Sequence, residues 1–344
     1  MKLLITGGAG FIGSHVAERY ARKGHEIVIF DNLSRATLLK KMSFDPLSNW
    51  KYLAKYPNIQ RIKGDVRHQE ALDEIVPQVD VIVHAAAQTA VTTSVVEPAQ
   101  DFTTNVLGTF HLLEAARRSP VPPAIIFCST NKVYGDNVNA VEIEQAARRY
   151  QFCPAFQQGI SERFSTDLCE HTPYGCSKLT GDLYMQDYAH LYGLKIGVFR
   201  MSCIYGPRQM GVEDQGWVAW FTIAALSGKP ITIYGDGKQV RDVLYIDDLL
   251  EAYDAFLRSD LRHGVYNIGG GSQHTLSLLE LLDLLEASTG KRCQVQFSAW
   301  RPSDQKVYIS DIAKIRNELH WSPTISPEAG VQRVVEWVRA TSDL

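Results

Sequence analysis

The sequence predicts an α/β protein with a doubly wound parallel sheet and a smaller C-terminal α/β lobe. Three observations lead to this fold class. Short apolar runs alternate with segments of helical apolar spacing through roughly the first 200 residues, which is typical of βαβ units. A glycine cluster follows the first apolar run. The length of 344 residues suits a large α/β domain with a second lobe, since one domain takes about 150 residues.

The elements follow in order along the chain. We predict strands at 2–6, 27–30, 59–62, 79–84, 124–128 and 195–200, and helices at 11–23, 69–76, 98–118 and 174–192. A polar loop of about twenty residues after Asn32 is longer than most connections. Beyond Pro207 we predict helices at 218–226, 246–257, 276–289 and 327–339, with strands near 231–234, 265–268 and 294–298. We expect one domain over 1–205, to which a segment near 240–270 returns, and a second lobe over 206–344.

Composition excludes several classes of protein. Apolar residues make up 45% and charged residues 21%, values of a globular protein rather than a disordered, collagen-like or coiled-coil chain. The net charge of −3 offers no positive excess to nucleic acid or to an anionic membrane. No apolar run approaches the ~18 residues that cross a bilayer, and the first is too short for a signal peptide. The six cysteines are scattered without a C-x-x-C pair, so we expect reduced thiols, no metal site and a cytoplasmic protein.

A glycine motif links the first strand to the first helix. The segment Thr6-Gly-Gly-Ala-Gly-Phe-Ile-Gly13 places Gly7, Gly10 and Gly13 at a spacing of three. Gly7 permits a tight turn, Gly10 lets the backbone approach a pyrophosphate, and Gly13 lets the helix pack closely. The N-terminus of the helix adds free N–H groups for phosphate oxygens. The context of strand, turn and helix predicts a Rossmann-type dinucleotide-binding domain.

Acidic and small residues after the later strands indicate how the dinucleotide would be held. Asp31 ends the second strand, 21 residues after Gly10, where a carboxylate accepts hydrogen bonds from a ribose. A carboxylate repels a 2′-phosphate, so NAD is favoured over NADP, although the nearby Arg35 leaves that choice open. Asp65 follows the third strand and would either meet the adenine amine or serve as a turn carboxylate. Gln88, after the small residues that end the fourth strand, would point toward the cofactor or toward solvent.

A tyrosine and a lysine lie four residues apart on the helix predicted at 174–192. In Tyr174-Gly-Cys-Ser-Lys178 the two side chains share one face. A phenol with a pKa near 10 is a poor base at neutral pH. A lysine ammonium one turn away, together with a positively charged nicotinamide, would stabilise the phenolate. The pair therefore indicates a proton acceptor for a sugar hydroxyl, with a surface i,i+4 pair as the alternative.

Taken together, these motifs resemble the extended short-chain dehydrogenase/reductases that act on nucleotide sugars. The resemblance runs from Gly7 to about Trp337 and rests on Thr6–Gly13, Asp31-Asn32, His84–Gln88, Asn105, Ser129–Gly135, Tyr174–Lys178, Arg200, Tyr205–Pro207, Gly235–Gly237, Arg241-Asp242 and Arg301–Asp304. It implies a catalytic set of Thr130, Tyr174 and Lys178. It implies that NAD contacts Gly7, Gly10, Phe11, Ile12, Asp31, Asn32, Asp65, Val66, Ala85, Ala86, Gln88, Asn105, Tyr174 and Lys178.

The resemblance also implies a substrate and an assembly. A CDP- or UDP-linked sugar would be bound by Thr130, Asn131, Cys203, Gln209, Arg241, Arg301 and Asp304. The two arginines occupy the diphosphate positions, where a guanidinium binds phosphate oxygens in a bidentate manner. Asp304 would hold the ribose hydroxyls. These enzymes usually dimerise through two helices, here 98–118 and 174–192, so we expect a homodimer.

Differences within the family indicate the reaction. Sugar-nucleotide 4,6-dehydratases carry an Asp–Glu pair after the catalytic threonine, whereas this chain has Asn131 and Lys132. Reductases need NADPH, which Asp31 disfavours, so an epimerase fits best. The stretches 200–209 and 213–221 resemble members that invert C2 of a CDP-linked sugar, and Cys203 stands where most 4-epimerases have Asn. The alternatives are a UDP-hexose or UDP-hexuronate 4-epimerase and a non-catalytic NAD-binding regulatory protein. The extra stretch 137–172 would either wall the sugar pocket or be a surface insertion that touches nothing.

Overall fold

A computed structural model describes residues 1–35, 45–301 and 304–341. The chain divides into two compact units, each built from several segments. The first unit comprises Met1–Val133, Thr172–Arg200 and Phe256–Tyr266, and the second comprises Tyr134–His171, Met201–Ala255 and the chain from Asn267 onward. The division into an NAD-binding domain over 1–205 and a substrate lobe over 206–344 is a functional one and stays a prediction.

The described residues form fifteen strands, numbered along the chain. They are β1 (Lys2–Thr6), β2 (Glu26–Asp31), β3 (Ile59–Lys63), β4 (Val81–His84), β5 (Ala124–Thr130), β6 (Ile143–Gln145), β7 (Tyr150–Phe152), β8 (Ile196–Met201), β9 (Cys203–Tyr205), β10 (Ile231–Tyr234), β11 (Val240–Tyr245), β12 (His263–Ile268), β13 (Thr275–Ser277), β14 (Val295–Ser298) and β15 (Val307–Tyr308).

A seven-stranded sheet, in the order β12-β8-β5-β4-β1-β2-β3, forms the centre of the first unit. The pairs β1–β2, β2–β3, β1–β4 and β4–β5 are parallel. The predicted doubly wound parallel sheet is therefore confirmed. The strand order reverses between β1 and β4, and dinucleotides bind beyond the carboxyl ends of the strands at such a switch point. The glycine motif follows β1, so it lies at this position.

The core of the first unit explains why its strands read as continuous apolar runs. Leu3, Leu4 and Ile5 of β1 are fully buried, as are Ile82 and Val83 of β4. Helices cover both faces of a parallel sheet, so its central strands have no polar side.

Helices connect the strands, and one of them differs from its prediction. The helices of the first unit are Phe11–Arg22, Ser48–Tyr52, Gln69–Ile75, Val91–Val96, Pro98–Phe102, Gly108–Arg118 and Pro173–Tyr192. The single helix expected over 98–118 is interrupted by a π-helical turn at Thr103–Leu107. Such a turn inserts one residue into the helix and often marks a functional site. Of the long loop predicted after Asn32, residues 36–44 lie outside the described residues, and Ser48–Tyr52 is helical.

The second unit is built from small sheets and helices. Strand β11 pairs with β9, β13 and β15, β10 pairs with β14, and β6 pairs with β7. The helices are Trp217–Ser227, Ile246–Arg258, Leu278–Thr289, Ala313–Leu319 and Pro327–Ala340. The helix predicted from residue 276 begins at Leu278 instead. The reason is a capping box, in which the Ser277 hydroxyl accepts from the Glu280 amide and the Glu280 carboxylate accepts from the Ser277 amide.

The extra stretch 137–172 is anchored within the second unit. Arg149 donates to the Glu280 carboxylate at 2.9 Å, and the Ile160 amide donates to the Ile309 carbonyl at 2.7 Å. Gly159 has a φ of +102°, and a side chain there would clash with the Ile309 carbonyl. The alternative that this stretch touches nothing is therefore wrong.

The described part of the chain contains no helix that is both long and apolar enough to cross a membrane.

Candidate active site

The turn after β1 brings the carboxyl ends of two strands together. Gly7 has a φ of +70°, and its amide donates to the Phe30 carbonyl at 2.9 Å. A Cβ at Gly7 would lie 2.7 Å from the Ala86 nitrogen and 2.8 Å from the Ala85 carbonyl oxygen. Only glycine combines this left-handed backbone with so close an approach. The predicted contact residues Gly7, Ala85 and Ala86 therefore lie side by side.

The helix that follows presents an uncapped N-terminus. Its N-cap residue is Gly10, no side chain caps it, and its first turn carries no acidic residue. The amides of Phe11 and Ile12 have no acceptor within a helix, because the first four N–H groups never do. A Cβ at Gly13 would clash with the Gly7 carbonyl oxygen, so this glycine packs the helix on the turn. An uncapped N-terminus with no side chain at Gly10 fits a pyrophosphate.

Asp31 is held at the end of β2 by two backbone amides. Its carboxylate accepts from Ala9 at 2.9 Å and from Leu33 at 2.7 Å. Burial raises the pKa of this carboxyl, and the two amides partly oppose that effect. A carboxylate offers about four acceptor sites, so the oxygens retain capacity for two ribose hydroxyls. The geometry fits the ribose role predicted for Asp31.

Asp65 is fixed by an arginine that the sequence did not single out. Arg67 donates to it through its backbone amide at 3.0 Å and its guanidinium at 2.9 Å and 2.7 Å, and Asn32 donates at 2.8 Å. The guanidinium of Arg67 holds the pKa of this carboxyl well below its usual range. Asp65 is thus a turn carboxylate in this structure, and an adenine contact stays a prediction. Val66, beside it, is buried against Gly108.

Gln88 and Asn105 belong to a buried hydrogen-bond network. The Gln88 side chain donates to the Ala90 carbonyl at 2.9 Å and to Asp101 at 3.1 Å, so it does not point freely into solvent. Asn105, in the π-helical turn, accepts from the Gln88 amide at 2.8 Å. Its own amide group donates to Asp101 at 3.1 Å and to Ser177 at 3.0 Å. The network joins the loop after β4 to the helix Pro173–Tyr192.

That helix carries the predicted tyrosine and lysine. It begins at Pro173 because the Thr172 hydroxyl accepts from the Gly175 amide. Its first N–H group, that of Tyr174, donates to the Ser94 hydroxyl at 3.1 Å. Lys178 is only 4% exposed, and its ammonium nitrogen lies 4.3 Å from the centre of the Phe127 ring. Burial lowers the pKa of Lys178 to about 8.

The phenol of Tyr174 is hydrogen-bonded to Thr130 at the end of β5. Burial raises the pKa of Tyr174 to about 12, and the bond to Thr130 only partly opposes that effect. From the sequence, Lys178 and a positively charged nicotinamide together are expected to lower the pKa of this phenol. In the protein alone, burial dominates. Thr130, Tyr174 and Lys178 are thus brought together, with the phenol kept protonated.

A buried ion pair fixes the helix to β5 and β8. Asp182, one turn beyond Lys178, accepts from Arg200 at 2.9 Å and 3.0 Å and from Ser129 at 2.7 Å. The sequence indicated Arg200 as a motif residue and missed Asp182, although the spacing from Lys178 puts both on one helix face. Next to Thr130, Asn131 is buried and its side-chain oxygen accepts from the Thr130 hydroxyl at 3.3 Å.

The predicted substrate residues of the second unit are engaged with other side chains. Arg241 donates to Asp304 at 2.8 Å. Arg301 pairs with Asp214 at 2.7 Å, and its guanidinium lies 3.9 Å from the centre of the Tyr234 ring. A diphosphate would therefore compete with carboxylates for both arginines.

Two further predicted sugar contacts, Cys203 and Gln209, lie close to the start of the helix Trp217–Ser227. The Cys203 sulfur accepts from the indole of Trp217 at 3.3 Å. Gln209 donates to the Ile204 carbonyl at 3.1 Å, and its buried side-chain oxygen has no hydrogen-bond partner among the described residues.

Among the described residues, no group of three or more His, Cys, Asp or Glu side chains is arranged to hold a metal ion.

Comparison with known proteins gives the family. Residues 3–269 match the NAD dependent epimerase/dehydratase family. The chain is 42% identical to the CDP-paratose 2-epimerase of Salmonella typhi, over 98% of this chain and 99% of that protein. A solved UDP-glucuronic acid 4-epimerase from Bacillus cereus, in complex with UDP-glucuronic acid and NAD, is 30% identical with a TM-score of 0.81 over 99% of both chains. A UDP-glucose 4-epimerase from Thermotoga maritima with UDP-glucose is 31% identical, with a TM-score of 0.80 over 99% of both chains.

The chain belongs to the NAD-dependent epimerase/dehydratase family. The resemblance inferred from the motifs is confirmed, and the dinucleotide of this family is NAD.

Proposed function

We propose that this protein inverts C2 of a CDP-linked sugar, converting CDP-paratose to CDP-tyvelose by transient oxidation and re-reduction. The observation that carries this proposal is the 42% identity to a CDP-paratose 2-epimerase over nearly the whole of both chains. The grouping of the buried Thr130 and Lys178 with the half-buried Tyr174 supports it. A UDP-hexose or UDP-hexuronate 4-epimerase is the weaker alternative, since those structures are near 30% identical. A non-catalytic NAD-binding protein would have no need of this tyrosine and lysine.

The cofactor would be held by the first unit. Gly10, Phe11 and Ile12 would bind the pyrophosphate, Asp31 the adenosine ribose, and Lys178 the nicotinamide ribose. When bound there, NAD would supply reversible hydride transfer to and from the sugar carbon.

The protein's own part is to move one proton and hold one oxygen. Tyr174 takes the proton of the reacting hydroxyl and later gives it back, while Thr130 hydrogen-bonds the same oxygen. Lys178 stabilises the phenolate as an ammonium one turn away. Because burial raises the pKa of Tyr174 to about 12, the phenol depends on positive charge nearby to lose its proton.

Elimination of water does not fit the residues beside Thr130. A dehydratase needs an acid and a base there, and Asn131 offers a neutral amide that is hydrogen-bonded to Thr130 itself.

Arg241 and Arg301 would bind the diphosphate, exchanging their present carboxylate partners for phosphate oxygens. The buried oxygen of Gln209 would accept from a sugar hydroxyl.

We also propose a homodimer in the cytoplasm. Large apolar side chains stay exposed on and around the two helices expected to dimerise, namely Val95, Val96, Phe102, Phe110, Leu183, Tyr184 and Leu191. The rings of Phe110 and Tyr184 lie 6.0 Å apart, so the two helices share this surface. A contiguous exposed apolar patch is typical of an interface. The cysteines are free thiols, which suits a reducing compartment. Sedimentation velocity should give twice the chain mass of 38.5 kDa.

A panel of nucleotide sugars tests the proposed reaction. Purified protein would be incubated with CDP-paratose, UDP-glucose and UDP-glucuronic acid, and the products identified by NMR. We expect inversion at C2 of CDP-paratose and little turnover of the UDP-sugars. Inversion at C4 of a UDP-sugar, with CDP-paratose untouched, would transfer the assignment to the 4-epimerases. No turnover of any member, with NAD bound, would favour the regulatory protein.

A further inference from the structure

Asp101 is a buried carboxylate that neither the motifs nor the proposed mechanism uses. It lies in the short helix Pro98–Phe102, directly before the π-helical turn, and is only 1% exposed. An ionised carboxylate is costly to bury unless hydrogen bonds and an opposite charge compensate it. Its surroundings therefore indicate what it does.

Hydrogen bonds link Asp101 to the loop after β4, to the π-helical turn and to the helix Pro173–Tyr192. Its Oδ1 atom accepts from the side-chain amides of Gln88 and Asn105, each at 3.1 Å. The hydroxyl of Ser177 is a further hydrogen-bond partner of the carboxylate. Ser177 lies between Tyr174 and Lys178 on the helix, and its hydroxyl also reaches the Tyr174 carbonyl at 3.1 Å. Asp101 thus holds the segment that carries the catalytic pair.

The charge that compensates Asp101 is the ammonium of Lys178. Burial lowers the pKa of Lys178, and Cys128, Asp182 and Asp101 oppose this effect, in that order of strength. The neutral His84 of β4 also faces Lys178. Asp182 is already neutralised by Arg200 at 2.9 Å. Among the described residues, the hydrogen bonds of the Asp101 carboxylate include no arginine. Burial raises the pKa of Asp101, and the hydrogen bonds from Ser177 and Gln88 and the charge of Lys178 oppose that effect. The carboxylate and the ammonium therefore favour each other's charged forms.

We propose that Asp101 is a positioning residue of the Tyr174–Lys178 pair, whose fixed negative charge keeps Lys178 an ammonium and Tyr174 a phenol until positive charge arrives beside them. This inference rests on the proposed function, in which Tyr174 exchanges a proton with the sugar hydroxyl. Asp101 does not touch the substrate in this account. It acts by its charge on Tyr174, which would meet the sugar hydroxyl, and on Lys178, which would meet the nicotinamide ribose. It also acts by the hydrogen bonds that fix their helix.

Titration of Tyr174 tests the charge directly, without substrate. Tyrosine labelled with ¹³C at Cζ would be incorporated, and the Tyr174 signal identified by its loss in Tyr174→Phe. In Asp101→Asn, which keeps the shape, the pKa of Tyr174 should fall by about one unit, the size expected for removing a nearby charge. Asp73→Asn is the matched control, because it removes the same charge from the partly exposed pair with Arg118. That variant should leave the Tyr174 signal unchanged.

Kinetics separate a charge effect from a merely structural one. In Asp101→Asn both limbs of the pH profile of kcat should move to lower pH by about one unit, since Tyr174 and Lys178 each lose their protons more easily. KM should change by less than about twofold, because no substrate contact is lost. A fall in kcat with unmoved limbs and an unmoved Tyr174 signal would mean that Asp101 is only structural, which contradicts the proposal.

The role of Asp101 can be tested even if the enzyme is inactive on CDP-paratose or if Asp101→Asn does not fold. Should the protein prove inactive on CDP-paratose, the proposed function fails while the titration still decides the role of Asp101. Should Asp101→Asn not fold, judged by circular dichroism, Asp101→Ser provides a second neutral variant. The wild-type protein without cofactor supplies a third readout: Tyr174 should titrate above the value near 10 of free tyrosine. A wild-type value below about 9 would overturn the proposal.

Discussion

At the scale of single residues, the candidate chemistry depends on two buried groups whose charged forms the protein alone disfavours. Burial raises the pKa of Tyr174 to about 12 and lowers that of Lys178 to about 8. In water a tyrosine loses its proton near pH 10, and a lysine keeps its proton up to about pH 10. The buried site thus holds the proton on Tyr174 until a bound positive charge compensates the phenolate. Such a group is suited to give and take a proton only in the loaded enzyme.

Replacement of the phenol tests this role. Tyr174→Phe removes one hydroxyl, so the fold should persist while turnover falls by roughly 10²–10⁴, the usual contribution of a general acid–base group. Tyr192→Phe is the control, since Tyr192 ends the same helix with its side chain exposed and is not among the residues named for the dimer surface. That variant should keep wild-type turnover. Product formation followed by NMR, with melting temperature as the check on folding, gives both results. Near wild-type turnover in Tyr174→Phe would remove this residue from the mechanism.

At the scale of elements, the turn between β1 and its helix is the part of the first unit that we propose to bind the dinucleotide. A Cβ at Gly7 would clash with the backbone of Ala85 and Ala86, so the turn after β1 packs tightly against the segment after β4. The same turn leaves the N-terminus of the helix Phe11–Arg22 uncapped. A side chain at Gly7 would separate the two segments and displace the amides that we propose to bind the pyrophosphate.

A pair of glycine variants separates crowding from backbone strain. Gly7→Ala places a Cβ 2.7 Å from the Ala86 nitrogen at a φ of +70°. Gly24 has a φ of +81°, but a Cβ there meets nothing within 4 Å. Both variants carry the left-handed strain of about 1–2 kcal/mol. We expect Gly7→Ala to lose NAD binding, measured by calorimetry, and Gly24→Ala to bind NAD normally with a slightly lower melting temperature. Equal NAD affinity in the two variants would show that the close approach is not needed.

The elements also show where sequence reasoning stops. The buried strands of the parallel sheet are predictable because their apolar runs are continuous. Strand β11 was not predicted, since Val240–Tyr245 carries Arg241 and Asp242 in its middle. The break at Thr103–Leu107 was missed because a π-helical turn leaves the apolar spacing of the flanking helices intact. Hydrogen bonds between distant segments determine such details, and a local pattern does not contain them.

At the scale of the whole molecule, the residues of the candidate site that stand in a local motif can be predicted from the sequence, and those that depend on distant contacts cannot. Gly7, Asp31, Tyr174 and Lys178 are recognisable because they stand at fixed spacings. Asp101 has no motif of its own, and a lone carboxylate in a helix usually faces water. Only its burial and its partners reveal it. The paired state of Arg301, likewise, depends on a contact with Asp214 that is distant in sequence.

The central claim is that C2 is inverted by oxidation and re-reduction, and isotopic labelling at that carbon tests it most directly. If Tyr174 handles only the hydroxyl proton, the hydrogen on C2 never exchanges with water. CDP-paratose carrying deuterium at C2 should therefore give CDP-tyvelose with the deuterium retained, and unlabelled substrate turned over in D₂O should gain none at C2. Wash-in of solvent deuterium at C2, seen by NMR of the product, would contradict the account, because it would require removal of a carbon-bound proton by a base.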